Sequence, residues 1–518
     1  MTAIEHLDVL VVGAGLSGIG AACHLEMKCA GKSYAVLEAR DDLGGTWDLF
    51  RYPGVRSDSD MYTLGYRFRP WTDAKAIADG PAILDYVRDT AREHGLDDQI
   101  RFHHRVVRAE WSTADAAWAL EVERTDTGET HRLTCGFLYM CSGYYRYDEG
   151  YTPPFDGIGR FAGQIVHPQH WPADLDYAGK RVVVIGSGAT AVTIVPAMAP
   201  EAAHVTMLQR SPTYILAMPD EDPIANALKR VLPDRAAYPI VRWKNVALAI
   251  LVYQASQRLP RQIRRLLRSL VRRQLPADYA VDSHFKPRYD PWDQRLCLVP
   301  NGDLFEALSA GDASMVTDEI DTFTERGLAL CSGAELEADV IVTATGLNLL
   351  AFGGVQLAVD GEDVELPETM AYKGMMLSGV PNFAYTIGYT NISWTLKADL
   401  VAEYVCRLLN HMDEHGHRQT VPERRDPEVT EEPFLDFEAG YVLRSLDQFP
   451  KQGSKPPWRL NQNYPVDLVA LRHGSVADDQ LRFSSPYRSW STESTLPARS
   501  VNQAMYGPSS RMMPFSSV

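Results

Sequence analysis

The chain has 518 residues and a formal net charge of −16, with 45% hydrophobic and 23% charged residues. That length exceeds one simple core and predicts two or three domains of ordinary globular composition. The acidic balance argues against a general nucleic-acid surface, and the most apolar run, Val246–Tyr253, falls far short of the roughly 20 residues of a membrane span. The seven cysteines include no Cys-x-x-Cys pair, which removes the usual zinc spacing and the dithiol of disulfide reductases, so no metal is expected. Scattered thiols and an N-terminus that runs almost directly into a strand predict a cytoplasmic protein without a cleaved leader.

Asp8–Val12 has the short, uninterrupted apolar pattern of a buried parallel strand, and Gly13-Ala-Gly15-Leu-Ser17-Gly18 follows at once. Gly13 permits the tight turn, Gly15 lets backbone approach a pyrophosphate, and Gly18 lets the helix expected from Ser17 to Met27 pack on its strand. Helix N-termini attract phosphate. Glu38 ends the next strand, Tyr34–Glu38, where a carboxylate can bind both ribose hydroxyls. Gly44-Gly45-Thr46-Trp47 and Tyr52-Pro53-Gly54-Val55-Arg56-Ser57-Asp58 follow; the glycine pair suits a loop lying close to a flat cofactor. Asp58 reads equally well as a helix N-cap or as a bare carboxylate. Further strands are expected over Ile100–Val107, Trp118–Val122 and Phe137–Gly143, the last ending in the small residues Cys141-Ser-Gly143.

A second strand-turn-helix begins at Arg181–Ile185 and continues into Gly186-Ser187-Gly188-Ala189-Thr190-Ala191. The strand after it, His204–Gln209, ends in Arg210-Ser211 rather than an acid. A guanidinium matches a phosphate bidentately where a carboxylate would repel it, so this unit is expected to prefer NADP(H) over NAD(H). From about 212 to 291 the pattern turns helical. Ile263, Leu266, Leu267, Leu270 and Val271 make a helical stripe amid six arginines. Inward packing of that stripe is the favoured expectation, with contact of the basic helix 261–273 with an anionic membrane as the alternative. Ala344-Thr-Gly346 repeats the Cys141-Ser-Gly143 ending, as expected where a chain crosses back between two nucleotide units. Gly388–Leu396 precedes a helix to about Met412, and the aperiodic stretch from about Ser484 reads as a disordered tail.

Between the two glycine turns lies Phe161-x-Gly163-x-x-x-His167-x-x-x-Trp171-Pro172, which resembles the fingerprint of type I Baeyer–Villiger monooxygenases. Gly44-Gly45-x-Trp47-x-x-x-x-Tyr52-Pro53-Gly54-x-x-x-Asp58 is similar to that family's second signature. Pro291-Trp-Asp-Gln-Arg295-Leu-Cys297 and Gly388-Tyr-Thr-Asn-x-Ser-Trp394-Thr-Leu396 make the likeness strongest to the ethionamide-activating monooxygenase subgroup. The resemblance runs from residue 1 to about 483. It implies an α/β fold of two Rossmann-like dinucleotide domains: residues 1–150 and 347–483 for FAD, 151–346 for NADP with the helical insertion inside it, and a tail over 484–518.

It further implies an NADPH-consuming FAD monooxygenase that inserts one atom of O₂ beside a ketone carbonyl through a C4a-peroxyflavin, giving an ester or lactone. S-oxidation of sulfides and thioamides is expected alongside. A flavin-containing monooxygenase acting on N or S centres is the alternative, although that family usually carries Tyr at the position of Trp171, without the following proline. Arg295 is implied as the catalytic cation, held by Asp58. Gly13, Gly15, Ser17, Gly18, Glu38, Gly45, Thr46, Trp47, Asp48, Leu49 and Val106 are expected around FAD. Arg56, Ser57, Asp58, Gly186, Ser187, Gly188, Ala189, Thr190, Ala191, Arg210 and Ser211 are expected around NADP. His167 and Trp171 are expected to act as a hinge between the two units rather than as catalysts.

Overall fold

The computed structural model describes residues 4–294, 296–435 and 439–485. Two sheets organise it. The first has nine strands. Its parallel part sets Tyr34–Leu37 beside Glu5–Val12, then Thr130–Met140, then Phe383–Tyr385. Ala117–Arg124 and His104–Ser112 extend it antiparallel, and Gln356–Val359 adds to His104–Ser112. The second sheet is wholly parallel, in the order Ala313–Thr317, His204–Gln209, Arg181–Ile185, Val340–Thr343, Gln164–Val166. Its central strands are buried on both faces, which is why they read as unbroken apolar runs. The first sheet therefore draws its strands from both sides of the second in sequence, and the second lies wholly between them.

The expected strand Ile100–Val107 is broken in two. His103 turns at a φ of 61°, leaving Ile100–Arg101 on the parallel side and His104–Ser112 on the antiparallel side. The fingerprint is also more than a linker, since Gln164–Val166 is the edge strand of the second sheet. Ser484, expected in the tail, closes the strand Leu481–Ser484 against Gln419–Pro422; the rest of the expected tail from 486 onward lies outside the described residues.

The stretch read as helical after Pro212 first makes a strand, Ile215–Met218, parallel to Cys297–Pro300. Between these strands stand helices Pro223–Val231, Asp234–Arg258 and Pro260–Arg272. The last buries Leu267 and Val271 but leaves Leu266 53% exposed, and its Arg264, Arg268 and Arg272 pair at the surface with Asp290 and Asp282, so the apolar stripe packs inward only in part. No helix among the described residues is long and apolar enough to cross a membrane.

Helix Asp234–Arg258 lies in chain order within the second unit but packs on the first. Arg242, only 4% exposed, donates to the carbonyls of Tyr62 and Gly65 at 2.7 Å each and faces Asp399 at 3.4 Å. Tyr238 donates to the carbonyl of Tyr66 at 3.0 Å. One buried cation thus serves two backbone carbonyls and Asp399, whose other partners are His24 at 3.4 Å and the backbone N–H of Arg67 at 2.9 Å; its loss removes the permanent positive charge beside that buried carboxylate. Arg242→Met is expected to cost about 3–5 kcal/mol in urea unfolding of the intact protein.

Candidate active site between two glycine turns

Helix Leu16–Lys28 begins at Gly15, and helix Ala189–Met198 begins at Gly188; neither has a side-chain cap or an acid in its first turn. Both present bare backbone N–H groups and the positive end of a helix dipole, the arrangement that binds phosphate. They open on one cavity of about 1190 Å³, lined from both units. Each turn also lies hard against the chain that leaves its own sheet. A Cβ on Gly13, whose φ is +102°, would meet the carbonyl oxygen of Cys141 at 2.8 Å, and one on Gly186, φ +142°, would meet that of Ala344 at 2.3 Å. A side chain at either position would force apart the turn and the crossing strand, a constraint added to the tight turn itself.

On the first side, Glu38 is 6% exposed yet reaches the cavity wall. Its two oxygens accept from the N–H groups of Ala14 at 2.8 Å and Arg40 at 2.9 Å. Burial pushes its carboxyl up, and the backbone donors oppose that shift. Ser17 accepts from the indole N–H of Trp394 at 2.7 Å, and Thr46 bonds the phenol of Tyr147 at 3.2 Å. Burial pushes the Tyr147 phenol up to about 12, so it keeps its proton. On the second side, Ser187 donates to the carbonyl of Ser211 at 3.2 Å and meets the Thr213 hydroxyl at 2.8 Å, tying the glycine turn to the segment that carries Arg210. Arg56 pairs with Asp303, which anchors the Tyr52–Asp58 loop to the second unit. Tyr52, pushed up to about 12 by burial, faces Thr190 and Asp58.

The two crossings run together. Tyr145–Gly150 and Leu347–Leu349 form an antiparallel ribbon, and the fingerprint clasps it. Nε2–H of His167 donates to the carbonyl of Gly346 at 3.2 Å, while Nδ1 accepts from the backbone N–H of Gln169 at 3.2 Å. The Gln169 side chain, 1% exposed, donates to the carbonyls of Arg146 and Tyr147 at 2.8 and 2.9 Å. A Cβ on Gly150 would lie 2.0 Å from the His167 ring. Burial lowers the His167 pKa, and the ring holds one proton in a fixed tautomer. Trp171 packs on the core of the second unit.

The model for flavin-binding monooxygenase-like proteins matches residues 73–356, and that for an NAD(P)-binding Rossmann-like domain matches residues 11–76. The chain is 61% identical over 481 residues to the FAD-containing monooxygenase EthA of Mycobacterium tuberculosis (strain ATCC 25618 / H37Rv), covering 93% of this chain and 98% of that one. It is 55% identical to EthA of Mycolicibacterium smegmatis, again over 93% of this chain and 97% of the relative. The chain belongs to the flavin-binding monooxygenase family. A solved steroid monooxygenase bound to NADP shares the fold, with a TM-score of 0.74 at 22% identity over 92% of this chain and 99% of that one.

As a flavoprotein monooxygenase, the chain places most of its sequence-expected site residues on the shared wall. Gly13, Gly15, Ser17, Glu38, Gly45, Thr46, Trp47 and Val106 line the cavity from one side. Gly186, Ser187, Gly188, Ala189, Thr190, Arg210 and Ser211 line it from the other, and Arg56, Ser57 and Asp58 line it from the loop that Asp303 anchors. Four residues are not among those lining it. Gly18 packs under the Gly13 carbonyl, and Leu49 and Ala191 are buried. Asp48 is fully buried between Arg40 and Arg51, at 2.5 and 2.7 Å, so it braces the glycine-pair loop from behind. Arg295 lies outside the described residues. Sequence reasoning missed Tyr147 and Arg444, whose guanidinium sits 3.5 Å over the Tyr151 ring at the cavity's edge, because nothing in their local pattern marks them.

His167→Ala and Gly150→Ala should both open the clasp. Each is expected to slow NADPH-driven flavin reduction about tenfold in stopped flow, the scale of one lost buried hydrogen bond, while bound flavin stays stoichiometric. The lowered His167 pKa adds a pH signature: the neutral clasp contributes stability above about pH 6.5. That contribution should fade as pH falls toward the lower folded value, and His167→Ala should flatten the pH dependence of the melting temperature in that window by its own share, leaving that of His94, His104, His284 and His411, which burial lowers too.

Proposed function

We propose that this chain is an FAD- and NADPH-dependent Baeyer–Villiger monooxygenase that converts ketones to esters or lactones and also oxidises sulfides and thioamides. One observation carries the reading: two uncapped helix N-termini of separate sheets open on a single cavity. The donors and glycines fit two dinucleotides. On the first side, Gly13, Gly15, Ser17, Glu38, Gly45, Thr46, Trp47 and Val106 would hold FAD, with Glu38 on a ribose. On the second, Arg56, Ser57, Asp58, Gly186–Thr190, Arg210 and Ser211 would hold NADP. Bound there, FAD would carry electrons from NADPH to O₂, one atom of which would enter the substrate.

The protein's part is placement and charge. Trp394 orients Ser17, and Tyr147 orients Thr46, fixing the first glycine loop. The ribbon and its His167 clasp would set the second nucleotide's site against the first. Arg295 is the cation assigned to the negative charge that develops on the carbonyl oxygen as the new C–O bond forms, with Asp58 positioning it. The neighbours Gln294 and Cys297 line the cavity, which supports that assignment. Domain limits near 150, 346 and 483 follow from the same scheme, and the free cysteines support a reducing, cytoplasmic setting.

Purified protein given NADPH, O₂ and a panel of ketones and sulfides should yield products 16 mass units heavier; NADPH consumption with stoichiometric H₂O₂ and no such product would overturn the reading. Arg295→Ala should retain flavin and its reduction but lose oxygenation by on the order of 10²–10³. Arg210→Ala should raise KM for NADPH roughly 10- to 100-fold, the scale of one charged hydrogen bond, with little change for NADH.

A further inference from the structure

Residues 223–273 hold twelve Lys and Arg and a single acid, Asp234, in a chain whose net charge is −16. Five of the twelve meet carboxylates at Asp222, Asp282, Asp290 or Asp399, and the remaining seven give the inserted helices a net positive face. The same helices turn large apolar side chains to solvent. Leu248, Leu251 and Leu259 are 50%, 64% and 49% exposed, and Leu266 on the next helix is 53% exposed. Leu248, Leu251 and Leu259 recur at i, i+3 and i+11, the spacing of one helix side. Arg258, Arg261 and Arg265 are exposed beside them. A water-facing helix side is normally polar, and a row of leucines there marks a contact surface.

We propose that this face seats the protein on an anionic lipid surface, from which it draws lipophilic carbonyl substrates. Leucines suit an acyl boundary and arginines suit the headgroups above it. A two-fold contact with a second copy would set this cationic patch against itself. Nucleic acid would use the arginines but leave the leucines in water.

The face is also joined to the cavity. Tyr253, on the leucine helix, lies with its ring 5.9 Å from that of Trp292. Arg264 pairs with Asp290 and donates to the carbonyl of Tyr289 at 3.1 Å. Tyr289 and Gln294 line the cavity. A molecule leaving the bilayer at these helices meets the substrate wall directly behind them. This second half of the proposal rests on the oxygenation proposed above.

The test is co-sedimentation of full-length, flavin-loaded enzyme with vesicles of phosphatidylcholine alone or mixed with phosphatidylglycerol. Binding is expected with phosphatidylglycerol and should weaken as salt rises. R261Q/R265Q should lower partition about fivefold per arginine removed, and L248S/L251S roughly tenfold per leucine. Both variants should keep wild-type turnover of a small water-soluble ketone and lose the gain that vesicles give on a long-chain one. Wild-type protein that stays in the supernatant, or variants that bind as well as wild type, would overturn the docking. So would a leucine variant that merely turns a dimer into a monomer. Docking without stimulation on the long-chain ketone would overturn the delivery. Failure of the soluble ketone to react would count against the oxygenation instead, because sedimentation needs no turnover.

Discussion

The close approach of each glycine turn to the strand that leaves its own sheet is the constraint on which the rest depends. Gly13 lies under Cys141 and Gly186 under Ala344, so the two crossings begin at the two phosphate-binding turns rather than at remote sheet edges. The crossings then pair as Tyr145–Gly150 and Leu347–Leu349, and this short ribbon brings both helix N-termini to one cavity. His167 and Gln169 fill the ribbon's backbone acceptors from the side. A pair of isolated strands of this length is marginal in water, and the clasp is what holds it.

The same design leaves part of the protein electrostatically unfinished. Two helices end in bare N–H groups, and a nearly buried carboxylate, Glu38, sits at the wall with only backbone donors beside it. A fold selected for stability alone would cap these helices, at a gain of about 1 kcal/mol each. Open donors facing a cavity are instead complementary to anionic ligands. Chemical contrast between the halves lies in their next strands, where Glu38 stands on one side and Arg210 on the other.

The inserted helices belong to both units. Their chain ends are tied to the second sheet through Ile215–Met218 and Cys297–Pro300, while Arg242 and Tyr238 root their longest member in the first core. An insertion anchored at both ends resists relative movement of the two units at that side, leaving the ribbon as the narrow connection. Its inner side completes the cavity through Tyr289 and Gln294, and its outer side carries the exposed leucines and arginines.

Local sequence determined the two strand-turn-helix units, Glu38, Arg210 and the small-residue ends of the crossing strands, because each rests on backbone geometry within a few residues. Most of the expected wall residues were legible for the same reason. What only the tertiary structure decided involves partners far apart in the chain. Asp48 follows a glycine pair but is consumed by Arg40 and Arg51. Trp394 reaches Ser17 across 377 positions. Arg242 looks like one basic residue among many until its carbonyl partners fold beneath it. His167 looked like a hinge residue from its place between two nucleotide units; that it acts by stitching Gly346 to Gln169 depends on which backbone acceptors the crossing ribbon leaves open, and no local pattern encodes that.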